Sequence, residues 1–433
     1  MSTEEQLKSD SQLASLDASG NPGRKLSGEP TPGFVWPHRV AFWLVALAFL
    51  LNMAFSAVPT PLYVLYQQRD HFSGIMVTIV YAVYAVGVIA SLFLVGHVSD
   101  WVGRRKMLVL ALLVNVASSL LFIFFPSLIG LIVARVVCGV AVGMTTATAT
   151  AYLAELHSSA RPGTSTKRPQ VIAIAANLGG IGFGPLLGGL MAQYAPSPLR
   201  LSYVVVGAAL VVLALSITLA PETVAILDEP PTWRPQRVAV PLEGRRHFYA
   251  ATFAGLAAFA VYGVFNSLVP SFLAGTLHET SPAVAGAVAF SAFAAGALAQ
   301  IALGRLDTTR MLRWSVPILL AGLALFTVGM WVPSLLIFIL GGVVTGAGAG
   351  LVFRGALVAA GTTAPLQARA EVMAGFFLGA YVGLSVPVIG LGIATMHVDA
   401  KEAMLVFVVL VAIAIVWSVR GVVRFTSGAL EVL

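Results

Sequence analysis

The sequence predicts an all-α polytopic membrane protein, with twelve transmembrane helices in two pseudo-symmetric six-helix bundles. Three observations carry that prediction. Of 433 residues, 58% are hydrophobic and only 10% charged, whereas soluble domains are about a quarter charged. Apolar windows of about 20 residues, the length that crosses a bilayer, recur along nearly the whole chain, and they are continuous rather than alternating. Continuous apolar runs satisfy their own backbone hydrogen bonds as helices, while barrel strands would alternate. Finally, the two halves of the chain read as copies of one another.

Residues 1–38 are polar and rich in Ser, Gly and Pro, with no apolar core of the kind a signal peptide needs, and read as a disordered cytoplasmic tail. The N-terminal bundle, 39–220, holds spans at 40–65, 74–96, 107–125, 128–154, 170–193 and 201–220. A Pro- and charge-rich connection, 221–247, reads as the cytoplasmic linker between bundles. The C-terminal bundle, 248–420, holds spans at 248–274, 283–303, 314–332, 335–361, 372–394 and 403–419, followed by a cytoplasmic tail at 421–433. Pro126 and Pro333 mark the short turns after spans 3 and 9. Cys138, the single cysteine, sits in an apolar run and reads as a small packing residue.

Placing both termini in the cytoplasm puts 20 of the 25 Lys and Arg on that side, against three (Arg69, Arg200, Lys401) on the other and two (Arg135, Arg354) within spans. Such a bias over short loops sets orientation in a cell membrane. It also accounts for the net charge of +7 without nucleic acid.

Spans 2 and 8 both end in a glycine pair followed by an acid, "GVIASLFLVGHVSD" and "GALAQIALGRLD". Span 5 carries Gly180, Gly184 and Gly188, and span 11 carries Gly375, Gly379 and Gly383. Six-span halves in the same order are the parallel repeat of a rocking transporter, with the substrate site between them near mid-membrane.

The stretch "GHVSDWVGRRKM" breaks two charge-free spans with one acid and three bases. Gly96 permits close helix approach, and Gly103 permits a turn that larger residues resist. Arg104, Arg105 and Lys106 suit the cytoplasmic headgroup region. Asp100 has no topological reason to sit in a basic loop, so it is expected to pair across an interface or meet a helix N-terminus. A pair made in one state and broken in the other is a conformational latch.

With Gly96, Ser99, Asp100, Gly103, Arg104, Arg105 and Lys106, this loop resembles the signature between helices 2 and 3 of the major facilitator superfamily, and the resemblance extends over about residues 38–420. Trp101 stands where family members usually place a basic residue. The span 8–9 loop, with Gly304, Asp307, Arg310 and Arg313, resembles the degenerate second copy. In span 4, Arg135 and Gly139 are similar to the family's R-x-x-x-G pattern. In span 5, Gly180, Gly184, Pro185, Gly188 and Gly189 resemble the glycine–proline motif of its 12-helix drug:proton antiporters. The resemblance implies the latch, to which Glu155 and Asp307 are added as charges near the same face, a bend of span 5 at Pro185, and a coupling role for Arg135.

No acid lies deep within a span, and span 1 offers only Asn52, Ser56, Thr60 and Tyr63 as polar groups. Proton coupling is therefore an expectation of the resemblance alone. Spans 1, 4, 7 and 10 line the cavity in this fold, so Asn52, Tyr262, Asn266 and Arg354, with Tyr381 alongside, are the expected substrate contacts. Sparse polar groups in an apolar, aromatic wall suit an amphipathic, drug-sized molecule. The buried arginines, each a functional candidate by its cost in lipid, suit an organic anion or metabolite instead.

There is no GxxxxGK phosphate loop, metal-ligand cluster or hydrolase constellation. The expectation is no cofactor, no enzymatic activity, drive from an ion gradient, protons as the coupling ion by resemblance, and function as a monomer among membrane lipids. A receptor reusing the fold is disfavoured by loops too short for a partner-binding domain.

Overall fold

The computed structural model describes residues 34–96, 98–165, 167–224, 233–236, 240, 244–364 and 369–430. Of the expected tail at 1–38, residues 1–33 lie outside them, and His38 already opens the first helix. Among the described residues are twelve helices long and apolar enough to cross a membrane. They follow the expected order, and several run a turn or more past the apolar windows. The first covers His38–Asp70, the fourth Leu128–Ala160 and the fifth Lys167–Tyr194. The last helix, Ala400–Leu430, continues into the stretch expected as a C-terminal tail, of which 431–433 lie outside the described residues.

Spans 1 and 7 share a departure from regularity. Span 1 is two helices, His38–Ala57 and Pro59–Asp70, joined at Val58. Span 7 is likewise Arg245–Ser267 and Val269–Thr276, joined at Leu268. Proline causes both breaks: Pro59 and Pro61 in span 1 and Pro270 in span 7 donate no N–H to the preceding turn. Elsewhere the repeat shows in the caps. Ser127 accepts from Gly130 N at the start of span 4, and Ser334 accepts from Ile337 N at the start of span 10. It shows too in backbone approach: span 4 lies against span 2 through Gly139 and Gly87, and span 10 against span 8 through Gly350 and Gly296.

Within each half the spans pack around an apolar core, with outward faces such as Val212, Leu215 and Ile413 left for lipid. The halves join along two seams, span 5 against span 8 and span 2 against span 11. Among the described residues, the hydrogen bonds that cross between them include Thr60 to Asn266, Gln193 with Ser281 and Ala283, and Ser385 to the Ala82 carbonyl. All lie at mid-span or toward the end away from the termini, so this state is drawn together at that far end. Of the linker, Trp233 donates to the Leu94 carbonyl at 2.9 Å and Gln236 N to the Phe93 carbonyl at 2.8 Å, pinning it to the end of span 2.

Candidate functional site

The two breaks face one another. Thr60 Oγ1, just after the break in span 1, donates to Asn266 Oδ1, just before the break in span 7, at 3.3 Å. Interrupted helices at matching positions of two halves are where a carrier of this build exposes backbone to its substrate.

Arg135 comes to this place from span 4. Its side chain is 1% exposed. Nη1 donates to the Ser56 carbonyl at 2.5 Å, and Nη2 reaches the Tyr81 carbonyl at 3.5 Å. The guanidinium lies 4.7 Å from the Tyr84 ring centroid and 5.7 Å from that of Tyr81, a cation–π arrangement. Across the seam, Tyr84 meets Tyr381 edge-on at 6.4 Å, and Tyr381 packs on Phe259. Arg135 Nε and the Tyr63 and Tyr81 hydroxyls are buried without a hydrogen-bond partner among the described residues. No carboxylate pairs with Arg135 among those residues either; the ion pairs are Arg69–Asp70, Arg104–Asp100 and Arg104–Glu155. The seam thus offers one cation and several donors in low dielectric, an arrangement that holds a hydrogen-bond acceptor or an anion.

Of the expected substrate contacts, Asn266 and Tyr381 fall here, but three others do not. Asn52 turns into its own bundle, donating to Thr145 Oγ1 at 2.7 Å and accepting from Asn115 Nδ2 at 2.8 Å. Tyr262 is a wedge: its hydroxyl donates to the Gly346 carbonyl at 2.8 Å and its ring stacks on Phe293. Arg354 caps the end of span 8, bonding the carbonyls of Gln300 and Gly304. Free carbonyls at a helix C-terminus attract a cation, which is why it sits there. Thr60, Tyr81 and Tyr84 stand at the facing breaks and around Arg135 instead.

Span 5 is a joint with two small-residue faces. Toward its own half, Gly180, Gly184 and Gly188 abut the Leu50, Ala54 and Val58 carbonyls of span 1. Toward the other half, Gly182 lies on Phe293, Gly189 on the Pro282 carbonyl, and the Pro185 carbonyl on Gly286 of span 8. Spacings of three and four put each set on one face. The motif read in sequence therefore sits between its own half and the other.

The signature loop forms a polar knot at the end bearing the termini. Gly103 adopts φ 109°, which only glycine takes without strain. Arg104 pairs with Asp100 at 2.5 Å and Glu155 at 3.0 Å, and donates to Ser99 Oγ at 2.6 Å. Asp100 thus neither crosses the interface nor meets a helix N-terminus in this state; its partner is four residues along its own loop. The acid that meets the start of span 3 is Glu222, just after span 6. Glu222 accepts from Arg104 N at 2.8 Å and Arg105 N at 3.1 Å, where span 3 leaves its first amides free. Nothing marked Glu222 in sequence beyond its place among linker charges. Arg105 also donates to the Ala220 carbonyl, Gly96 lies beside Gln236, and Lys106 is exposed. Asp307 caps span 9, accepting from Thr309 N at 3.0 Å. Glu222→Ala is expected to cost about 1–2 kcal/mol as the span 3 amides lose their acceptor, read as a lower unfolding temperature with the Arg104–Glu155 pair retained.

With this geometry in place, comparison with known proteins gives the family. Residues 45–272 match the Major Facilitator Superfamily. The chain belongs to that superfamily, a family of transporters rather than enzymes. It is similar to the D-xylose transporter of Levilactobacillus brevis, 34% identical over 93 residues, which is 22% of this chain and 20% of that one. The chain thus matches about a fifth of that curated relative's length. Among solved structures it resembles the nucleoside transporter NupG, at 14% identity and TM-score 0.67 over 87% of this chain and 99% of that one. It also resembles a bacterial homologue of the human lysosomal transporter Spinster, in an inward-facing and unoccupied conformation, at 15% identity and TM-score 0.63 over 92% and 99%. These likenesses show the fold.

Proposed function

We propose that this superfamily member is a gradient-driven carrier of the cell membrane. It takes small, largely hydrophobic organic compounds outward in exchange for protons, by alternating tilting of its halves. Both termini would face the cytoplasm. The observation that carries this reading is the span 5 joint, whose glycine–proline motif is the one resembling drug:proton antiporters and which faces both halves at once. In the state described the far end is drawn together, and the Asp100–Arg104–Glu155 knot lies within one half; on this reading Asp100 changes partner when the other end closes. Everted vesicles test it. An imposed inward proton gradient should drive accumulation of an exported dye, and accumulation indifferent to an uncoupler refutes the proton part.

A second reading, transport of an organic anion or metabolite, is favoured by Arg135, whose buried charge has no carboxylate partner among the described residues. Proteoliposome uptake of carboxylates against neutral analogues of equal size separates the two. On the anion reading Arg135→Gln abolishes uptake of the carboxylate and spares the neutral analogue. Arg354, held by the span 8 carbonyls, is assigned to structure in both readings, so Arg354→Gln should lower stability and transport together.

A further inference from the structure

A groove of about 840 Å³ runs along the outside of the C-terminal half, between spans 7, 9 and 12. It takes no part in the seams between halves. On span 12 its lining extends from Ala412 through Ile413 and Trp417 to Arg424. The twelve steps from Ala412 to Arg424 at 1.5 Å rise cover about 18 Å, close to one leaflet of a hydrocarbon core of about 30 Å. Its mid-membrane end is apolar, with Leu320 of span 9 and Ile413. Its other end, on the side of the termini, carries Arg246, Arg420 and Arg424, all exposed. Tyr249 and Trp417 stand just inside the arginines, at the depth of an aromatic belt. None of the lining residues is acidic, and none of the three arginines makes an ion pair among the described residues.

Three cations would not be gathered at one end of an apolar trough for a neutral acyl chain alone. Nor would a free anion need an apolar trough one leaflet long beneath it. The complement of both features together is a molecule with a negative head and a hydrocarbon tail. We propose that this groove binds an anionic diacyl phospholipid, its phosphate held by Arg246, Arg420 and Arg424 and one acyl chain lying along span 12 toward Leu320. A basic pocket between helices at the inner surface is the kind of place where acidic headgroups are recognised.

The test uses the purified, delipidated full chain and counts bound lipid by native mass spectrometry during titration with dioleoyl phosphatidylglycerol or dioleoyl phosphatidylcholine. The wild type should retain the anionic lipid at least about tenfold more tightly, because cations at the inner surface attract acidic headgroups. Arg420→Gln with Arg424→Gln should remove most of that preference, while Arg161→Gln with Lys167→Gln, an equal charge loss on the same side but off the groove, should leave it. Ala412→Phe fills the trough without touching charge and should weaken both lipids. It also guards against misfolding of the arginine double variant. Equal retention of the two lipids by the wild type, or unchanged retention by both groove variants, overturns the proposal. So does displacement of the lipid by glycerol phosphate, which would make the site one for a free anion.

Discussion

Replacing Arg135 by methionine is expected to reduce transport at least about a hundredfold while leaving the protein as stable as before, or more so. The argument rests on opposed terms. Burying a guanidinium strips its hydration at a cost of several kcal/mol. The groups around it return only part of this: the Ser56 carbonyl, a long contact to the Tyr81 carbonyl and two aromatic faces, with Nε unmet. Methionine has a comparable reach and no charge, so it removes the penalty together with the weak compensation. A residue kept for packing would lose stability and transport in parallel. A residue kept for the solute or the coupled ion loses transport alone. Uptake into proteoliposomes and unfolding temperature, measured on the same preparation, separate these outcomes. Arg135→Lys keeps the charge but not the planar fork, and should recover only a minor part of the rate.

The second large effect is expected where span 5 meets its neighbours, at Gly184 of span 5 and Gly286 of the facing span 8, which should fail differently. A side chain at Gly184 collides with the Ala54 carbonyl and the Ala57 side chain of span 1, inside one bundle. Two backbones cannot both yield there, so Gly184→Val should destabilise that bundle by at least about 3 kcal/mol, seen as aggregated protein after extraction. A side chain at Gly286 of span 8 instead presses on the Pro185 carbonyl, across the seam between halves. The halves have an alternative that the bundle lacks: they can part. Gly286→Val should therefore fold, lose the far-end closure and expose a cysteine placed at Thr60, buried between the halves, to a membrane-impermeant thiol reagent. Aggregation of both variants alike would refute a joint that turns.

These expectations also mark which parts of the molecule were legible in the amino-acid sequence. Span number, order, the paired halves and the special standing of Arg135 and the span 5 glycines are written in composition and spacing, because lipid forces long apolar runs and makes a buried charge conspicuous. Rotation of a span about its own axis is not. A helix apolar on every side carries no stripe to say which face meets the partner half, and so Asn52 and Tyr262 were expected at the centre although both point into their own bundles. Arg354 misled for a related reason: burial was readable, but the span 8 carbonyls that claim it belong to a helix end some fifty residues away. Glu222 was hidden in a linker whose charges look alike until one of them is found against the first turn of span 3.

The docking of Trp233 and Gln236 on the end of span 2 has a mechanical consequence. With the linker fastened there, the slack between the halves is not the whole connection but only the chain from Gln236 to Arg245. Drawn taut, those residues reach about 30 Å. The connection is thus a short leash, and it caps how widely the mouth on that side can gape.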